Sequence, residues 1–215
     1  GKSAMYVDAG GVKVYEALYD GGDLDYTARE LTSHIPEIGE PGIVNCAVQR
    51  RPDLRVHFVR SDGTVAVMIF DKDEEINCWI DIETDGLIEN ACVLPDGVED
   101  AVYYVVRREI NGSVYRFIEK FALESECVGG TLNKQADCFL TGTGTVDGLD
   151  HLEGETVVVW ADGVDQGTFT VTAGVAVGAG SFTSWVAGLG YDAEYRSTKL
   201  TYGVEDPVQA LCEKK

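Results

Sequence analysis

Of the residue types that do acid–base or metal chemistry, the histidines here are few and isolated. The 215 residues include three, His34, His57 and His151. None has a second His, a Cys or an acid at metal-ligand spacing, so each reads as the occupant of a turn or strand rather than a zinc ligand or general base. Carboxylates are plentiful. DGGDLD (20–25) and DKDEE (71–75) each place several within a few residues, as hard cations require. Neither has the Asp-x-Asp-x-Asp-Gly spacing with a distal Glu, and both read as solvated loops. Gly1-Lys2-Ser3 ends like a phosphate-binding loop but lacks the upstream glycine and a preceding buried strand. Gly178-Ala179-Gly180 lacks the third glycine and the helix of a dinucleotide fingerprint. Asn111-Gly112-Ser113 has the form of a glycosylation acceptor, but an Asn-Gly pair between two apolar runs is a tight hairpin turn. No spacing selects a pair of carboxylates for glycoside chemistry in so acidic a chain. The expectation is a protein with no catalytic residue, no cofactor-binding residue, no metal ligand and no cofactor.

The formal net charge of −20 weighs against nucleic-acid binding by charge neutralisation and against docking on an anionic membrane. No apolar run approaches the roughly eighteen residues that span a bilayer, and nothing resembles a signal peptide, so a soluble chain is expected. The acid is concentrated between 71 and 100, where Lys72 is the sole base. Arginines cluster at Arg50, Arg51 and Arg55 and at Arg107, Arg108 and Arg116; in a ring of subunits these would meet a neighbour's acidic loops, each exposed pair contributing little. Six cysteines, Cys46, Cys78, Cys92, Cys127, Cys138 and Cys212, show no C-x-x-C spacing. The first three lie in apolar strands, where a free thiol is expected to be buried as a small hydrophobe and to stay reduced.

These residues must be positioned by strands, because no long segment has a 3.6-residue period. The organising stretch is 56–121, which repeats one plan. Residues 56–59 are a short apolar run, 61–63 (Ser-Asp-Gly) a turn, 64–70 a strand apolar on both faces, 71–75 a charged loop, and 76–82 a strand carrying Trp79. Upstream the same order gives strands at 5–7, 12–19 and 26–31 with a Gly10-Gly11 turn. Downstream it gives strands at 102–107 and 114–121 about Asn111-Gly112. GIVNCAVQRRPD (42–53) and GLIENACVLPDG (86–97) both begin at Gly, hold a Cys in an apolar core and stop at Pro-Asp. With Gly11, Gly63 and Gly112 as anchors the period is roughly fifty residues, that of propeller blades, and each small sheet must stack on its neighbours to bury its faces. A β-sandwich is the competing architecture.

The fold class expected is therefore all-β, with repeated propeller-blade-like antiparallel sheets plus a small β-barrel or sandwich domain. Residues 1–140 form the blade-like region, 141–203 the small domain and 204–215 a truncated return segment. Residues 141–148 read as a Gly/Thr/Asp linker. Short strands follow at 156–161, 168–172, 175–177, 185–186 and 193–202, with Trp160, Phe169, Phe182, Trp185 and Tyr191 expected to supply most of the core. A helix could begin at 208–215. The chain starts without Met and ends at Lys214-Lys215, so it reads as a domain excised from a longer polypeptide; two and a half blades do not close a ring.

TGTGTVDGLDHLEGETVVVWADG (141–163) with GLGYDAEYRSTKL (188–200) resembles a module of bacteriophage virion proteins. RRPDLRVHFVRSDGTVAVMIFD (50–71), WIDIETDG (79–86) and VYYVVRREINGSVYRFIEKF (102–121) resemble the same proteins, which are phage tail nozzle, tail tubular or packaged-DNA stabilisation proteins. The module is often labelled as similar to the first catalytic-cysteine half-domain of ubiquitin-activating enzymes. That label carries no chemistry here, since no cysteine lies between Phe139 and Glu205 and no nucleotide-binding loop is beside it. The resemblance covers nearly the whole chain. It implies a non-enzymatic structural protein of a phage or prophage virion, a wall of the DNA channel in the tail or head–tail neck, assembled in the host bacterial cytoplasm. The partners expected are copies of itself in a homo-oligomeric ring and other phage tail or neck proteins, with no sequence-specific nucleic-acid binding and no membrane. A receptor- or glycan-binding module of a phage particle is the alternative, and a propeller-type hydrolase a third.

Overall fold

In the computed structural model, which describes residues 3–195 apart from 23, 73, 75 and 130–132, the protein is all-β. Its described residues form four antiparallel sheets in chain order. The first holds β1 (Ser3–Val7), β2 (Val14–Asp20) and β3 (Asp25–Glu30). The second is β4 (Ile43–Gln49), β5 (Arg55–Arg60), β6 (Val65–Asp71) and β7 (Ile76–Ile82), paired in sequence order. The third is β8 (Leu87–Leu94), β9 (Ala101–Ile110) and β10 (Ser113–Lys120). The fourth orders β11 (Asp137–Thr145), β12 (Thr156–Ala161), β13 (Val164–Thr172), β14 (Val175–Ala176) and β15 (Ser181–Leu189) as β11-β15-β12-β13-β14, and one of the four sheets is a curled half-barrel.

Why the second sheet sits in the middle is written in β5 and β6. Successive side chains of a strand point to opposite faces, so a strand apolar at every position must be covered on both. Val56, Phe58, Ala66 and Met68 pack with Val14 and Leu31 of the first sheet and its exit. The other parity, Val59, Val65 and Val67, packs with Val102, Tyr104 and Val106 of the third. Three sheets are thus stacked face to face, each interface made by alternate residues of the middle one.

The internal repeat extends to individual hydrogen bonds. The Ile43 N–H donates to the Gly11 carbonyl at 2.7 Å, and the Ile88 N–H donates to the Gly63 carbonyl at 2.8 Å. Just beyond each of these residues the pairing register shifts, at Ile43/Asn45 and Ile88/Asn90. Matching the β1–β2, β5–β6 and β9–β10 hairpins shows what differs. The first sheet lacks a counterpart of β4 and β8, and the third lacks a counterpart of β7 among the described residues. The Asn111-Gly112 turn has φ of 48° and 73°, the two positive values of a type I′ hairpin.

Several sequence expectations are corrected. Residues 141–148 are not a linker: through Thr145 they belong to β11, and the five-stranded sheet begins at Asp137. Threonines alternate there with glycines, of which Gly142 makes room for a neighbour: a Cβ on it would stand 2.3 Å from the Trp185 ring. The core of this sheet is mainly aliphatic, built on Val146, Leu149, Leu152, Val157, Val159 and Val171 around Trp185. Phe169 and Phe182 pack at its margin, Trp160 lies on the opposite parity of β12, and Tyr191 is exposed. Residues 193–195 have no regular structure, and the rest of the strand expected at 193–202, like the helix expected at 208–215, lies outside the described residues. Cys46, Cys78 and Cys92 are free but exposed rather than buried. They share the outward parity with Val44 and Val48, Ile76 and Ile80, and Leu94, and a strand apolar on both parities does not reveal which one faces solvent.

Candidate functional site

The buried polar groups sit between sheets rather than around a cleft. Between the second and third sheets, His57 is 2% exposed. Its Nδ1 lies 2.6 Å from the Tyr104 hydroxyl and its Nε2 lies 3.2 Å from Gln49 Oε1. A neutral ring satisfies both contacts, with Nε2–H donating to Gln49 and the tyrosine hydroxyl donating to Nδ1. Gln49 passes the network on by donating to the Arg51 and Asp100 carbonyls. Burial, with a smaller push from the Arg55 charge, lowers the His57 pKa to about 4, and burial raises that of Tyr104. Beside them the Asp100 carboxylate accepts from the Arg50 N–H at 2.9 Å and from Arg51 Nε at 3.0 Å. The Arg50 amide, followed by Arg51, holds its pKa below the ordinary range.

Between the first and second sheets the buried Glu16 of β2 pairs with Lys72, and Asn77 donates to the Leu31 carbonyl at 3.2 Å. The third and fourth sheets are joined by Arg108, whose side chain is wholly buried. Its guanidinium donates to both Glu119 oxygens at 2.7 and 2.8 Å, to Asp137 Oδ1 at 2.9 Å and to the Asp85 carbonyl at 2.6 Å. Burial alone would lower its pKa, but Glu119 and Asp137 outweigh burial and raise it. Gly86 permits this approach, since a Cβ there would lie 2.8 Å from the Arg107 carbonyl and 3.0 Å from Arg108 Cγ. Cys138, next in chain to Asp137, has its thiol pushed up to about 12 by burial, reinforced by Glu119, which suppresses the nucleophilic thiolate.

The residues singled out in the sequence are not brought together. His34 is in an exposed turn, His57 is locked between sheets, and the half-buried His151 lies 3.2 Å from the Cys138 carbonyl. Among the described residues no group of three or more His, Cys, Asp or Glu could hold a metal ion. In the acidic loops Asp20 caps the Gly22 N–H at 2.8 Å and Asp71 caps the Glu74 N–H at 3.2 Å. The arginine clusters meet this chain's own acids: Arg51 with Asp100, Arg55 with Asp53 and Glu124, Arg108 with Glu119 and Asp137, Arg116 with Glu89. Sequence reading missed Glu16, Asp100 and Arg108 as buried charges: Asp100 and Arg108 each adjoin another charged residue, and Glu16 is a lone acid in an apolar strand. The signal available was parity: Arg108 continues the 102, 104, 106 series of β9, whose members all face inward. Among the described residues no helix is long and apolar enough to cross a membrane.

No family model matches the chain, and no curated protein matches it.

Proposed function

We propose that this protein is a structural component of a phage or prophage particle, a wall segment of the tail or neck channel built as a homo-oligomeric ring. The observation that carries the reading is the use made of the buried polar side chains. His57, Asp100 and Arg108 each tie one sheet to the next, which suits a rigid wall more than a site for making and breaking bonds. The acidic stretch supports the same reading. Asp71, Glu74, Asp81, Glu83, Asp85 and Glu89 are all exposed, and such a surface repels a passing phosphate backbone within about 8 Å at physiological salt. The partners proposed are copies of the chain and other tail or neck proteins; the chain performs no reaction and needs no cofactor. Negative-stain electron microscopy of the purified protein tests the proposal: rings with a central hole are expected, and monomers at all concentrations up to the micromolar range overturn it.

One observation favours the alternative of a glycan-binding module. Trp160, Asp165, Asn133 and Gln135 line a hollow of about 210 Å³ on the five-stranded sheet, a combination of an indole and polar groups suited to a sugar ring. A glycan array separates the two readings, since a wall segment binds no glycan selectively.

A further inference from the structure

Among the described residues the third sheet lacks the last strand of the plan it shares with the second. In the second sheet β7 covers the far edge of β6, from Val65 against Ile82 to Asp71 against Ile76. Counted from Gly63 and Gly112, residues 65–71 correspond to 114–120 of β10, which among the described residues pairs with β9 alone. The Asn111-Gly112 turn closes on Ile110 and Ser113, and the Phe121 N–H donates to the Val102 carbonyl at 2.8 Å. Bonds to β9 therefore fall on residues 113, 115, 117, 119 and 121, and the N–H and C=O groups of Val114, Arg116, Ile118 and Lys120 point away from it. No register shift interrupts this edge, and Val114 and Ile118 are 54% and 79% exposed. Such an edge is a template for another strand.

We propose that residues 196–202 of this same chain complete the third sheet, antiparallel to β10, so that the five-stranded sheet is an insertion between the third sheet's last two strands. Chain order gives the first reason. The second sheet passes from β6 to β7 through residues 72–75, and the fourth sheet occupies that place in the order of the third. The second reason is where the chain comes out. Leu189 at the end of β15 is the cross-strand partner of Asp137 at the start of β11, and Arg108 holds both Asp137 and Glu119 of β10. Residues 190–195 have no regular structure. Fully extended they reach on the order of 20 Å, enough to pass from Leu189 to an edge that one guanidinium already links to its neighbour. The third reason is the sequence beyond them. RSTKLTY (196–202) is as long as β7, seven residues, and contains no Pro or Gly before Gly203. It alternates Thr198, Leu200 and Tyr202 with Ser197, Lys199 and Thr201, a period-2 pattern rich in strand-forming residues. Recognition is by backbone hydrogen bonds, as in strand addition to an open edge. A segment expected from sequence to finish the small domain is thereby assigned to the stack, independently of the virion reading.

Amide exchange followed by NMR in the full chain tests this. The N–H groups of Arg116 and Ile118 are expected to exchange about a hundredfold or more slowly than in an unstructured chain. Leu200→Pro, which removes a donor from the added strand and bars its neighbours from pairing, is expected to return them to fast exchange. The amides of Tyr115, Phe117 and Glu119, bonded to β9, should stay slow in both proteins and report that the variant is folded. Fast exchange at Arg116 and Ile118 in the natural chain would overturn the proposal, as would slow exchange that Leu200→Pro leaves unchanged. Protection that appears only as protein concentration rises would mean that a second copy covers the edge, and would overturn it too. A disulfide scan is the second measurement. With Cys46, Cys78, Cys92 and Cys212 replaced by serine, Ile118→Cys is combined with a cysteine substitution at each of residues 196–202 in turn. Intrachain disulfides are expected at alternate positions of the segment, those on the same side of the sheet as residue 118. No disulfide at any position, or equal formation at all of them, would overturn the proposal.

Discussion

The two buried ionisable side chains that matter most, His57 and Arg108, make opposite demands on protonation. His57 must stay neutral to serve Tyr104 and Gln49, and its pKa of about 4 lies below the value of about 6.5 in an unfolded chain. Between those values the unfolded state binds the extra proton, so the stability His57 confers is complete above pH ~6.5 and is lost as pH falls towards 4, by up to about 3 kcal/mol. Denaturant unfolding measured from pH 7 to 4 should show that decline, and His57→Gln, which cannot titrate, should flatten it. Asp100, with its pKa held low chiefly by the Arg50 amide, adds a further loss below that window. Arg108 must instead stay charged. Arg108→Met leaves the Glu119 and Asp137 carboxylates, each about 20% exposed, without their partner. The expected cost is about 3–5 kcal/mol in denaturant unfolding, with the unfolding of the five-stranded sheet separating from that of the stack as a second transition.

At the scale of elements, the strands were legible where two signals agreed. β5, β6, β9 and β10 show apolar runs bracketed by Ser-Asp-Gly and Asn-Gly turns, and the structure has them within a few residues of their expected ends. β11 was not legible, because Thr-Gly-Thr-Gly-Thr has the composition of a loop. Its strand character depends on Trp185, over forty residues away, whose ring occupies the space a Cβ at position 142 would need. Gly142→Ala therefore has an expected cost of about 1–3 kcal/mol by overpacking, whereas alanine at Gly144, where a Cβ meets nothing within 4 Å, is opposed only by the backbone φ of 81°. Comparing the two variants by thermal unfolding separates packing from backbone strain, and near-equal losses would discount the Trp185 contact. The parity of the cysteine strands was hidden for a different reason. β4 and β7 carry valine and isoleucine on their outward sides, so hydropathy cannot orient them. The inter-sheet clamps were illegible for a third reason, since Glu16 with Lys72 and Arg108 with Asp137 join residues far apart in sequence, and only the stacking brings them into reach.

For the whole molecule, stacking in chain order makes stability graded along one axis. A layer covered on both faces can open only when its neighbours do, whereas an end layer can open alone. In the second sheet, β5 and β6 are buried at nearly every position; β3, at the margin of the first sheet, is exposed at five of its six. Hydrogen exchange monitored by mass spectrometry should accordingly find the amides of β5 and β6 slowest, exchanging only through global unfolding. Those of β3 should be faster by about a thousandfold or more, corresponding to roughly 4 kcal/mol between local and global opening. The five-stranded sheet should follow the third sheet rather than the first, because β11 enters at Asp137, β15 leaves at its cross-strand partner Leu189, and Asp137 is held by Arg108. Uniform exchange across the three sheets would mean that the clamps make one cooperative unit and that the layers have no separate stability.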